Sequence, residues 1–192
     1  MAKYAVLASG NGGNFEALVR QMRDRHECVM LVYDRRKAFA AERAARLGVP
    51  ALYVPYAARG IAEAEKEIAE ALARAGAELI ALAGFMRLLS PTFVVPRRGR
   101  ILNIHPSLLP KWPGAHAIAR AYEAGEQRFG ATVHIVDEGM DTGTVLAQEA
   151  FDADPADALE SIEARIHDVE HRIYPRVVSA ILDALAVARR SA

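Results

Sequence analysis

Tyr4-Ala5-Val6-Leu7-Ala8-Ser9-Gly10-Asn11-Gly12-Gly13-Asn14-Phe15 decides the fold of this chain. A short apolar run stops at a serine-glycine turn, and beyond it Phe15, Leu18, Val19 and Met22 recur at helical spacing. The stretch therefore reads as strand, glycine loop, helix. Glycines at 10, 12 and 13 allow backbone conformations closed to other residues and let main-chain N–H groups approach a ligand, while the helix starting near Asn14 adds its positive end. That combination is an anion site, most often for phosphate. A tight turn without a ligand is the plainer reading of the same glycines. A dinucleotide fingerprint needs a third glycine at position 15, which is Phe15, although Asp34 stands about where a ribose-binding acid would.

The pattern repeats outward from this loop. Cys28–Tyr33 reads as a strand, Ala38–Leu47 as a helix closed by Gly48-Val49-Pro50, and Ala51–Val54 as a third strand. Ile61–Ala75 is an Ala/Glu-rich helix ended by Gly76, and Leu79–Ala83 is a buried strand. Alternating strands and helices predict an α/β, Rossmann-like fold, with a mainly parallel twisted sheet and helices on both faces. In the second half Ile101–Ile104, Ala131–Val136 and Val145–Ala150 are strand-like, and the last two are close enough to form a late antiparallel hairpin. A long Ala/Ile/Val-rich stretch then runs to Val187, and Pro175 should kink or split its helix. No linker or repeat interrupts the chain. Residues 1–192 read as a single domain, with a phosphate-binding half over about 1–100 and a second half over about 101–192, to which the family resemblance given below assigns folate binding and catalysis.

Length and composition narrow the function. The chain has 192 residues, with 24 Lys plus Arg against 24 Asp plus Glu, and is 52% hydrophobic and 25% charged. This is globular composition with a sizeable core, not a disordered chain. Zero net charge argues against a nucleic-acid or membrane partner, so any anion must be bound by a few placed groups. Cys28 is the single cysteine and cannot form an intrachain disulfide. Nothing at the start resembles a signal peptide, and the uncharged run from Leu79 to Met86 is far short of the roughly 20 residues of a membrane span. A cytoplasmic protein acting on small molecules, as monomer or homodimer, is the expectation.

Leu102-Asn103-Ile104-His105-Pro106-Ser107-Leu108-Leu109-Pro110 concentrates the chemistry. Strand alternation puts Asn103 and His105 on one face, where an amide and an imidazole can both donate to a developing oxyanion. Downstream, Asp137-Glu138-Gly139-Met140-Asp141-Thr142-Gly143 supplies three carboxylates, any of which could fix the histidine's protonation. The bland alternative has Asn103 and His105 merely satisfying turn carbonyls. A rival of another class is His167-Asp168-Val169-Glu170-His171, the H-x-x-E-H pattern of a zinc metallohydrolase. It wants a further acidic ligand, yet Asp183 is the one carboxylate side chain after His171. A non-catalytic nucleotide-binding module is the third reading, and it leaves Asn103, His105 and Asp141 without a role.

Ser9–Asn14, Ala83–Ser90, Leu102–Pro110, Gly130–His134 and Met140–Gly143 resemble, in order and spacing, the phosphoribosylglycinamide formyltransferases, folate-dependent enzymes of purine synthesis. The resemblance covers nearly the whole chain, and 192 residues leave no room for the extra domain of tRNA-directed relatives. It implies formyl transfer from 10-formyltetrahydrofolate to the amine of glycinamide ribonucleotide, without a metal. Asn103, His105 and Asp141 would be catalytic, Asp141 keeping His105 charged and helping to relay a proton. Gly12, Gly13 and Asn14 would hold the phosphate and Glu170 the glycinamide amine. Met86, Arg87, Leu88 and Leu89 would line the pterin slot, closed by Glu138, Gly139, Met140 and Asp141, with His134 behind the catalytic group. There are departures. Gly13 replaces a frequent serine, Ile61 aligns with an arginine near the folate for which Arg59 is the nearest substitute, Thr144 replaces a proline, and Trp112 replaces Tyr or Phe.

Overall fold

The computed structural model describes residues 1–190. Strands β1 (Ala2–Ala8), β2 (His26–Tyr33), β3 (Ala51–Tyr53), β4 (Leu79–Leu82), β5 (Ile101–His105), β6 (Arg128–Ile135) and β7 (Val145–Asp152) form one sheet in the order β3-β2-β1-β4-β5-β6-β7. The first five are mutually parallel, and β6 and β7 run antiparallel as the late hairpin. The sheet is thus Rossmann-like with an antiparallel edge. Both hairpin strands extend beyond their apolar runs, as far as Arg128 and Asp152, whose side chains pair at 3.2 Å at the far end.

Central strand β1 explains the layering. Tyr4 to Ala8 are all fully buried, as a strand covered on both faces requires. Alternate side chains serve opposite cores. Tyr4, Val6 and Ala8 join Phe15, Leu18, Ile173 and Tyr174, beneath α1 (Gly13–Met22), α2 (Ala40–Leu47) and α7 (Leu159–Arg190). Ala5 and Leu7 join Tyr56, Ile68, Leu72 and Phe93, beneath α3 (Tyr56–Arg59), α4 (Ile61–Ala75) and α5 (Pro91–Val94). A smaller cluster of Ala121, Phe129, Ile162 and Ile166 seats α6 (Ala117–Glu123).

Of the two outcomes expected at Pro175, a kink or a split, the split does not occur, since α7 continues through it as one helix. Proline lacks the N–H that would bond the carbonyl four residues back, here that of His171. Gln21 Nε2 on α1 donates to that carbonyl at 2.9 Å. The freed acceptor is satisfied across the helix pair, and the proline is tolerated. Similarly, α2 starts at Ala40 rather than Ala38, because Ala38 N–H closes a turn on Arg35 O at 2.9 Å.

Two devices place the functional loops at the carboxyl ends of the parallel strands, where open α/β sheets bind ligands. Tyr174 is fully buried, and its hydroxyl lies 2.9 Å from Leu82 O and 3.0 Å from Leu102 O, tying β4 and β5 to α7. Ser9 Oγ accepts from Met86 N–H at 2.8 Å, joining the loop after β1 to the loop after β4.

Candidate active site

Strand β5 ends in Asn103, Ile104 and His105, and its pleat sends Asn103 and His105 the same way. Asp141 reaches them from the loop after β6. Its Oδ2 is 3.3 Å from His105 Nδ1 and accepts Gly114 N–H at 2.7 Å, while Oδ1 is 3.4 Å from Asn103 Nδ2 and 3.5 Å from His134 Nε2. The carboxylate is the centre of the cluster. Asp141 occupies the left-handed region at φ 55°, a conformation uncommon for non-glycine residues. Its loop is shaped by Asp137, which accepts from Gly139 N–H at 3.0 Å and Thr142 Oγ1 at 2.7 Å. A Cβ at Gly143 would collide with the Ile135 carbonyl, so only glycine lets the loop return so closely past β6.

The hydrogen-bond network assigns the protons. His105 Nε2 faces the Trp112 carbonyl at 2.8 Å and therefore carries a hydrogen, which leaves Nδ1 as the nitrogen facing Asp141. Both ring nitrogens thus face oxygen acceptors, and the imidazolium is the form that can donate to both. His134 Nδ1 faces Ile135 O at 2.9 Å, and its Nε2 lies 3.1 Å from Asn103 Nδ2 and 3.5 Å from Asp141 Oδ1. Burial pushes the Asp141 carboxyl up, but the His134 hydrogen bond, the Gly114 amide and the histidine charges outweigh it and bring its pKa to about 2.

The glycine loop lies along the same cleft. Gly12 caps α1 at φ 79°, and a Cβ there would sit 2.8 Å from Ala40 of α2. Among the described residues, no protein acceptor takes the amides of Asn11, Gly12, Gly13 or Asn14. These are the free donors of a helix start. Asn14 Nδ2 donates to Glu170 Oε2 at 3.0 Å, and the same buried oxygen faces His167 Nδ1 at 2.9 Å. That hydrogen bond raises the pKa of His167 against the opposing effect of burial.

One cavity of about 1320 Å³ connects these parts, lined by Gly10–Asn14, Leu82–Leu89, Asn103–Pro106 and Gly139–Asp141, with Glu170 and His171 of α7. It draws on both halves of the chain. A typical small-molecule site has roughly 300–1,000 Å³, so this one has room for two ligands side by side.

Residues 2–178 match the formyl transferase family. A phosphoribosylglycinamide formyltransferase of Bacillus subtilis (strain 168) is 46% identical over 186 residues, covering 95% of each chain. The chain belongs to the formyl transferase family, among its phosphoribosylglycinamide formyltransferases. Glycinamide ribonucleotide transformylase 1 from Geobacillus kaustophilus superposes with a TM-score of 0.90 at 45% identity, covering 95% of this chain and 99% of that one. The trifunctional purine biosynthetic protein adenosine-3 of Drosophila melanogaster is 41% identical over 193 residues, and the matched part is 14% of its length.

For a formyl transferase, the remaining sequence expectations fall unevenly around the cleft. Met86, Arg87, Leu88 and Leu89 line it, Met86 and Leu88 being 59% exposed at its lip. Glu138 does not line it, since its carboxylate pairs with Arg98 at 2.7 Å. Arg59 pairs with Glu67 and is likewise outside the lining, as is Ile61. Asp34 is buried against Arg87, Oδ2 to Nε 2.6 Å, and its second oxygen has no hydrogen-bond partner. It is the anchor of a cleft arginine, not an open ribose acceptor. Sequence reasoning missed the Trp112 carbonyl and the Gly114 amide, because backbone groups of an irregular loop leave no residue-type signal.

The zinc reading gains nothing. His167 is turned to Glu170, whose carboxylate is already held by Asn14, and His167 and His171 stack with ring centres 6.5 Å apart. Among the described residues, no three His, Cys, Asp or Glu side chains are grouped to hold a metal ion. Among those residues, too, no helix is long and apolar enough to cross a membrane.

Proposed function

We propose that this cleft moves a formyl group from 10-formyltetrahydrofolate to the primary amine of glycinamide ribonucleotide, giving formylglycinamide ribonucleotide for de novo purine biosynthesis. The observation that carries this reading is a single cavity holding both a loop of undonated amides and the Asn103–His105–Asp141 cluster. Residues 1–192 act as one domain. The amides of Gly12, Gly13 and Asn14 bind the phosphate at the positive end of α1, and Glu170 receives the glycinamide amine. Met86 to Leu89, with Gly139 to Asp141, hold the pterin, an apolar wall with backbone amides suiting a flat heteroaromatic ring.

The donor supplies an activated formyl carbon, and this chain's residues control charge and protons. Amine attack forms the new C–N bond and places negative charge on the formyl oxygen. Asn103 and protonated His105 donate to that oxygen, and a preorganised donor of this kind contributes roughly 3–4 kcal/mol. The contacts of Asp141 with the His105, Asn103 and His134 side chains, at 3.3 to 3.5 Å, are longer than its 2.7 Å bond from the Gly114 amide, so a substrate oxygen draws on those donors while the amide keeps the carboxylate in place. Asp141 serves as a fixed negative charge. As the tetrahedral intermediate collapses, the C–N bond to the folate breaks, protonated His105 gives its proton to the departing folate nitrogen, and the neutral imidazole then takes up the proton released by the attacking amine.

Incubation of the purified protein with both substrates tests this. Formylated glycinamide ribonucleotide, detected by mass spectrometry and dependent on both reactants, is the expected result. Absence of product with freshly prepared donor overturns the reading.

A further inference from the structure

Helix α2 grips the anion loop by its carbonyl groups, with Arg43 itself at the wall of the cleft. Ala40 N–H donates to Gly10 O at 3.1 Å. One turn on, Arg43 Nε donates to Asn11 O at 2.9 Å and Nη2 to Asn11 Oδ1 at 2.8 Å, while Nη1 meets the Glu16 carboxylate on the first turn of α1. Glu16 is held in turn by Arg20 at 2.7 Å. The guanidinium therefore spans the loop crown and the helix that the loop starts, using a fork that lysine lacks.

Peptide planarity turns this grip into a consequence for binding. The carbonyl of one residue and the N–H of the next share a rigid trans plane and point in opposite directions. Holding Gly10 O against Ala40 aims the Asn11 amide away from α2, and holding Asn11 O against Arg43 does the same for the Gly12 amide. Two consecutive planes are set from α2, and Gly12 completes the turn at φ 79°, where a Cβ would also collide with Ala40.

We propose that Arg43 is a positioning residue for the anion-binding loop, acting through Asn11 to present the Gly12 amide to a phosphate group. This deepens the functional reading given above and rests on its assignment of the loop. Arg20 and Arg43 share the Glu16 carboxylate, which leaves one net positive charge beside the loop, so the test has to separate the charge of Arg43 from its fork.

The test compares Arg43→Met and Arg43→Lys with the wild type in three measurements. These are steady-state formyl transfer, calorimetric binding of ribose 5-phosphate, and thermal unfolding. Arg43→Met should raise KM for glycinamide ribonucleotide about tenfold, or about 1.4 kcal/mol. Ribose 5-phosphate affinity should fall by the same factor, with kcat and the donor KM within about twofold. The lysine variant keeps the charge without the fork, so it should recover less than half of the loss. An unchanged ribonucleotide KM in folded Arg43→Met overturns the proposal, as does full rescue by lysine. Should even the wild type fail to form product, the functional reading is what fails, and the sugar-phosphate titration still decides for or against the role of Arg43.

Discussion

Asp141→Asn removes one negative charge from the centre of the site at almost constant shape. The drop of the carboxyl pKa from 3.8 to about 2 corresponds to about 2.5 kcal/mol favouring the charged form. With the side chain only 11% exposed, solvent screening takes little of this. The folded-state pKa is the lower one, so this stabilisation is complete above about pH 5 and is lost as pH falls toward 2. Urea unfolding across that range should show the wild type losing about 2 kcal/mol more than the variant. Formyl transfer at neutral pH should fall roughly 10²- to 10³-fold in kcat, since the amide cannot supply the negative charge that faces His105 Nδ1 and the developing charge of the reaction. Ribonucleotide KM should change little, because the glycine loop does not touch Asp141. Parallel stability curves for the two proteins, or a kcat within threefold of the wild type, would refute the electrostatic role.

Two further perturbations probe the frame. Gln21→Ala should destabilise the protein by about 1 kcal/mol by stranding the His171 carbonyl, and the same change in a Pro175→Ala background should cost nothing. Equal costs in both backgrounds would show that Gln21 does not compensate the proline. Glu170 raises the pKa of His167, so the stability this pair adds is complete below pH 6.5 and is lost as pH rises through the higher folded value. His167→Gln should therefore be less stable than the wild type at pH 6 and approach it at pH 9 in thermal unfolding, and a pH-independent difference would sink this.

Much of the fold is legible because the sequence punctuates it with glycine. Gly60 and Gly76 bracket α4 so clearly that Ile61–Ala75 agrees at both ends. The apolar run of β1 leads straight into the glycine loop. What was illegible depends on partners far away in sequence. Pro175 reads as a break until Gln21, more than 150 residues earlier, supplies the missing donor. Asp34 stands about where a ribose-binding acid would, and only the structure shows it engaged by Arg87. In the cluster, strand alternation alone pairs Asn103 with His105, whereas singling out Asp141 among three loop carboxylates needed the family resemblance. The remainder is backbone: the Trp112 carbonyl that takes one His105 proton and the Gly114 amide on Asp141 are peptide groups every residue carries.

The division of labour within the cleft is most directly tested with His105→Ala, by pairing single-turnover formyl transfer with calorimetric binding of glycinamide ribonucleotide. His105 lies in the chemical cluster and away from the glycine loop. Transfer should therefore fall at least a hundredfold while ribonucleotide affinity stays within about threefold. Transfer at the wild-type rate, or loss of ribonucleotide binding in step with loss of transfer, would contradict the separation of a phosphate-holding loop from an Asn103–His105–Asp141 centre.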